Sequence, residues 1–304
     1  MLVPKLRADK VRELDVMSEQ NPELAEHFRA IMADRQDAPL LTIAQLEELV
    51  STSEATDREA NANAGADLTP LYCQGTYARY LIALATDDPA QRFFRVSDVG
   101  YSARATLMQL YLELGDREAA LAQAQACVDI APSSPAAYQE LVTALADADD
   151  FAPIITAEKE ALRLAAAPDE IAYLYYRLAF AFWQTGERDL GLACYLRVPT
   201  FSPVGDMAAR ERDELMAEMG RKDLEGFDRD AVLRAGGVPL APTAEVLQTL
   251  AETAIRFCEA GIPLASGPSA NMLGTIQHND ILSALSLALR DGVWPSHEPV
   301  DQAS

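Results

Sequence analysis

The chain has 304 residues, 49% of them hydrophobic, and a formal net charge of -22. That much apolar material builds a sizeable core and excludes a disordered chain. The charge divides as -6, -8 and -8 over residues 1–66, 67–203 and 204–304, so no basic face is expected, and neither nucleic acid nor an anionic membrane is an expected partner.

Apolar residues recur at helical spacing and strand-like alternation is nearly absent, which predicts an all-α protein. No run approaches the roughly 18 apolar residues of a membrane span. The start, MLVPKLRADKVREL, lacks the apolar stretch of a secretion signal, so a cytoplasmic location is expected. The acidity reads either as solubility or as a preference for a basic partner.

Asn21 and Pro22 form a cap and first-turn pair for a helix with Leu24, Phe28, Ile31 and Met32 on one stripe. Thr42 with Gln45 fits a capping box before Ile43, Leu46, Leu49 and Val50. Residues 51–67, STSEATDREANANAGAD, read either as a solvated helical extension or as a linker, and a soft boundary between an N-terminal segment (1–66) and the next region is placed there. Residues 70–97 read as helical, with Tyr77, Tyr80, Leu81 and Leu84 on one side and Pro89 as the break.

The stretch GDREAALAQAQACVDIAP, residues 115–132, puts small residues at Ala120, Ala124 and Cys127 between a turn glycine and a terminal proline. Small residues on one face imply that a second helix comes very close there. A register then emerges. Leu107, Leu141 and Leu178 are 34 and 37 residues apart, and the same intervals separate Tyr111, Leu145 and Phe182; Ala120, Ile154 and Gly191; and Cys127, Ala161 and Val198. The three-residue excess falls in LAAAPDE. Pro132 and Pro203 close the first and third units, Asp149 replaces the turn glycine in the second, and its closing proline, Pro168, comes late.

These residues resemble the tetratricopeptide repeat family over about residues 101–203: turn glycine, small crossing residue, apolar residue, alanine-like residue and terminal proline in GDREAAL…ACVDIAP, and more loosely in ERDLGLACYLRVPTFSP. The first unit departs from the pattern, with Arg104 where Tyr138 and Tyr175 stand in the next two. The resemblance implies an α-α superhelix of stacked helix pairs (units 101–134, 135–171 and 172–205, within an array from 67 to 220), because one pair cannot bury its face alone. MAARERDELMAEMG begins a fourth, degenerate unit carrying Arg212 and Asp213, with Gly220 34 residues after Gly186. Residues 221–304 form a C-terminal helical cap. In it AGGVPLAP and AGIPLASG read as helix stops of the Schellman type, Thr243 caps a helix bearing Val246, Leu247, Leu250, Ala254, Phe257 and Cys258, Asn279 or Asp280 caps ILSALSLALRDG, and the end is a loose tail.

Chemistry is sparse. The four cysteines, Cys73, Cys127, Cys194 and Cys258, are far apart among apolar neighbours and read as buried thiols. His27, His278 and His297 are isolated, so no metal and no cofactor are implied. SGPSANMLGT is the one glycine-bearing loop with any likeness to an anion cradle, and it lacks a lysine; DADD at 147–150 serves as an interhelical turn. No catalytic constellation is present, and an enzyme is not expected.

The resemblance implies that first helices line a concave groove that takes an extended peptide or a partner helix. Its residues are Ser102, Ala105, Gln109 and Leu112; then Ala136, Gln139, Thr143 and Ala146; then Tyr173, Tyr176, Phe180 and Trp183. Aromatic anchors beside glutamines suit an apolar segment with main-chain hydrogen bonds. The competing reading is that helices after residue 203 cover the aromatic row. The expected function is thus a non-catalytic scaffold for a protein or peptide, with a homo-oligomerisation module or a small-molecule or peptide sensor as alternatives.

Overall fold

The computed structural model describes residues 21–277 except 34, 36–37, 64–67, 74–77, 147–149 and 262–266. The expected Tyr77 contact, the Asp147–Asp149 part of the interhelical turn, His278, His297, the ILSALSLALRDG helix and the tail lie outside the described residues. The protein is all-α, apart from one two-stranded sheet among the described residues. None of the described helices is long and apolar enough to cross a membrane.

Two helices lead in, α1 (Pro22–Ala33) and α2 (Pro39–Asn63). Ile31, Ile43, Leu46, Leu49 and Val50 bury together with Val99 and Leu107 of the following helix. Thr42 is not a cap: the helix starts earlier, at a proline suited to a first turn, and the buried Thr42 hydroxyl donates back to the Ala38 carbonyl at 3.1 Å. Residues 51–63 continue α2 without a break, and Ser53 buries against Ser97 with 3.0 Å between their hydroxyl oxygens.

The helix expected over 70–97 shrinks to a 3₁₀ turn, Arg79–Leu81, running into α3 (Ile82–Ala85). On either side the chain is extended, as β1 (Thr69–Leu71) and β2 (Phe93–Arg95), paired in parallel with Thr69 opposite Phe93 and Leu71 opposite Arg95. Aromatic Phe93 and Phe94 favour the pleated surface, and Pro70, lacking an N–H, fits a strand at an edge. Helical spacing of apolar residues misled over so short a window.

Then come the helix pairs: α4 (Asp98–Glu113) with α5 (Arg117–Ile130), α6 (Pro135–Leu145) with α7 (Ala152–Leu164), and α8 (Pro168–Gln184) with α9 (Arg188–Tyr195). Each helix packs on the next in sequence, and α10 (Gly205–Glu218) and α11 (Arg229–Ala235) continue the stack against α9. Glycines make the stops. Gly115, Gly186, Gly220 and Gly237 all have positive φ, which a residue without Cβ adopts freely. At each, the glycine amide bonds three residues back and the next amide five residues back, as in Gly186 to Trp183 and Glu187 to Phe182, which completes the Schellman pattern.

The small residues do bring helices close. Ala120 and Ala124 are wholly buried against Met108 and Ala144. At Gly191, the third-pair counterpart of Ala120, an added Cβ would lie 3.1 Å from the Ala179 carbonyl oxygen. All four repeat columns are buried or partly buried, with Leu178, Phe182 and Ala161 in the largest core cluster. Pro168 does not close the second unit; it sits in the first turn of α8, where its missing N–H costs nothing. Arg104, standing where an aromatic was expected, donates to Gln123 at 3.0 Å and pairs with Glu54, tying α2 to the first pair.

After α11 a short irregular segment leads to α12 (Ala244–Glu259), which Thr243 caps through the Val246 amide, and to α13 (Gly267–Gln277). Leu81, Ala166, Val246, Leu250 and Leu273 share one cluster, so α12 returns to the residue 79–85 region. Most of SGPSANMLGT therefore belongs to a helix and not to a loop. Cys73, Cys127 and Cys194 are buried as expected, but Cys258 is exposed, because Val246 and Leu250 are the buried side of α12.

Candidate functional site

The expected groove residues fall on the first helices of the three pairs but meet different surroundings. On α4, Gln109 is exposed and Ala105 packs against the cluster of Tyr72, Tyr101 and Ala137. On α6, Thr143 is exposed, its hydroxyl donating to the Gln139 carbonyl at 2.8 Å, and Gln139 is half-buried. Phe180 on α8 remains 43% exposed and stands edge-on to Phe151, 6.3 Å between ring centroids. Tyr173 is half-buried under the Arg177 guanidinium, which donates to its hydroxyl at 3.2 Å.

Tyr176 and Trp183 turn toward α10. The Tyr176 hydroxyl donates to Glu211 Oε1 at 2.8 Å, Tyr195 donates to Oε2 of the same carboxylate at 2.6 Å, and Trp183 Nε1 donates to Glu218 at 3.0 Å. Tyr195 also meets both rings, at 6.3 Å from Tyr176 and 6.5 Å from Trp183. Burial, reinforced by the bond to Glu211, pushes the Tyr176 hydroxyl up to about 12 and raises Tyr195 as well. The aromatic row is thus divided: α10 takes Tyr176 and Trp183, while Phe180 stays open. Sequence reasoning passed over Glu211 and Glu218, although each stands 35 residues after its aromatic partner, close to the repeat spacing itself.

The second pair buries a carboxyl. Glu158 on α7 is 1% exposed and neither oxygen has a hydrogen-bond partner among the described residues. Burial, only partly countered by Arg177, pushes it up to about 8, so the neutral acid is the form held at pH 7. Glu170, in the first turn of α8, is pushed up to about 7 by burial. Burial likewise pushes Cys127 to about 12 and raises Cys194, which makes both inert packing thiols.

His27 is exposed on α1, and Asp150 accepts from the Ala152 amide at 3.0 Å in the turn that leads into α7. Among the described residues no group of three or more His, Cys, Asp or Glu side chains is placed to hold a metal. No protein-family model matches this chain, and no curated protein matches it.

Proposed function

We propose that the protein is a non-catalytic scaffold, related in design to tetratricopeptide repeats, that binds a protein or peptide on the face of its first helices. The supporting observation is the exposed run from Gln109 through Thr143 to Phe180, carried on three consecutive stacked pairs. Phe180 offers an apolar anchor, and the exposed Gln109 amide and Thr143 hydroxyl offer hydrogen bonds to an extended main chain. The net charge of -22 favours a partner with basic residues around that apolar segment.

Selection from a displayed random-peptide library with the full chain tests this reading. Peptides combining an apolar residue with flanking Lys or Arg are expected, with binding weakened at least tenfold in Phe180→Ala, a loss of about 1.4 kcal/mol. Peptides indifferent to both Phe180→Ala and Gln109→Ala would place recognition elsewhere.

A further inference from the structure

The segment between α11 and α12 is held in an unusual way. From Pro239 to Pro242 its main chain makes no backbone-to-backbone hydrogen bond among the described residues. Side chains from the second and third pairs meet it instead. Lys159 of α7 donates to the Gly236 carbonyl at 2.8 Å. The Tyr175 hydroxyl of α8 donates to the Pro239 carbonyl at 2.7 Å and accepts from the Ala241 amide at 2.9 Å. Arg197, just past α9, donates to the Ala241 carbonyl at 2.8 Å, with its guanidinium 5.4 Å from the Tyr175 ring centre.

Between these polar contacts Val238 and Ala241 are buried, at 4% and 3% exposure, in the core cluster that contains Tyr175 and Leu178. Main-chain bonds for affinity and apolar pockets for alternate side chains are how an extended peptide ligand is read. The segment also leaves room on both flanks. A cleft of about 190 Å³ lies beside Ala241 and Pro242, walled by Ile171, Tyr175, Pro199 and the 82% exposed Phe201. Another of about 510 Å³ lies beside Pro239 and Leu240, walled by Leu84, Arg163 and Thr243.

Val238 closes the end of α11 through the Leu233 carbonyl, but the flanking helices also have anchors of their own. α11 packs on α9, and α12 is anchored through Val246 and Leu250 to Leu81 and Ala166. Release of the four residues 238–241 is therefore a local opening that leaves the array intact. The same wording occurs twice in the chain, as Val-Pro-Leu-Ala at 238–241 and Ile-Pro-Leu-Ala at 262–265, beyond what a helix stop requires.

We propose that Lys159, Tyr175 and Arg197 form a second recognition site, specific for an extended partner segment with a β-branched residue followed by Pro-Leu-Ala, and that residues 238–241 occupy it as a built-in competitor. This site is separate from the first-helix face, and its test does not depend on that reading.

The test uses the full chain and the labelled peptide Gly-Gly-Val-Pro-Leu-Ala-Pro. Val238→Ser, which loosens the internal segment, is expected to bind the peptide. Adding Tyr175→Phe, which keeps the ring and removes both hydroxyl bonds, is expected to weaken binding about tenfold, and a peptide with Asp in place of Val is expected not to bind. In the wild-type chain, excess peptide is expected to accelerate hydrogen exchange of the Leu240 and Ala241 amides while leaving α9 protected, a readout that needs no variant to fold. Binding that is indifferent to Tyr175→Phe, or no binding by a folded Val238→Ser chain together with unchanged exchange in the wild type, overturns the proposal. So does concentration-dependent dimerisation without peptide binding, which would assign the site to a second copy.

Discussion

The two ends of the stacked pairs are closed by the same chemical device in different surroundings. At the first end the Tyr111 hydroxyl donates to Glu47 at 2.6 Å, with the carboxylate in solvent, and Arg104 pairs with the half-exposed Glu54. At the far end one carboxylate, Glu211, accepts from both Tyr176 and Tyr195 inside an aromatic cluster. A hydrogen bond to a charged group that water can replace adds little, whereas the loss of one at a partly buried hydroxyl leaves a polar atom without solvent to turn to. The far end is thus a fixed junction. The near end relies on the apolar packing of α2 against α4.

Mutations sharpen that contrast. The largest effect is expected at the core shared by the third pair: Phe182→Ala, at a site 1% exposed, removes about 3–5 kcal/mol of stability in a denaturant titration. The buried carboxyl comes next. Its folded-state pKa is raised, so between the ordinary value near 4.5 and about 8 the folded chain holds a proton the unfolded chain has lost. Stability is therefore highest at the acid end of this window and falls as pH rises through it, by on the order of 3 kcal/mol. Denaturant midpoints at pH 5 and pH 8 read this fall; Glu158→Gln removes its larger part and leaves the share of Glu170, which burial pushes up to about 7.

Glu211→Ala is expected to cost about 2 kcal/mol by orphaning two phenol hydroxyls. Glu47→Ala at the other end costs at most about 1 kcal/mol. Equal costs at the two ends, measured by the same titration, would erase the distinction. An earlier loss of α10 protection in Glu211→Ala, read by hydrogen exchange, would sharpen it.

Much of the repeat region was legible in the sequence because its signals are redundant. A turn glycine, a small crossing residue and a buried leucine recur in register, and each needs a different physical reason to stand where it does. Gly186 with positive φ, Gly191 against the Ala179 carbonyl and Leu178 in the core agree on one third pair. Residues 70–97 lacked such redundancy. A 3₁₀ turn and two three-residue strands take their form from tertiary neighbours, such as Ile130, whose carbonyl accepts from the Tyr72 amide at 2.6 Å, and no local pattern announces them. Thr42 failed for a related reason. A capping box and a threonine bonding back within a helix share the same local sequence.

The helix that carries the aromatic row was legible, but not which of its rings stay open. The family resemblance assigned Tyr173, Tyr176, Phe180 and Trp183 to one side of it. Which of them stayed open depended on Glu211 and Glu218 in α10, and on Arg177 beside Tyr173. Acidic residues on a charged helix resemble any solvated surface until their partners are known. The segment 238–241 illustrates the same limit, since a helix stop and a bound peptide are written with the same glycine and proline.

The most direct test of an open first-helix face is site-specific photo-crosslinking in the full chain, with a photoreactive phenylalanine at position 143 in one variant and at position 183 in another, each incubated with a peptide selected on the wild-type protein. Thr143 faces solvent and Trp183 faces α10. The expected result is peptide captured at 143, with only an internal crosslink to α10 at 183. Capture at 183 with none at 143 would mean that the peptide enters where α10 lies, contradicting both the closed far end and the open face.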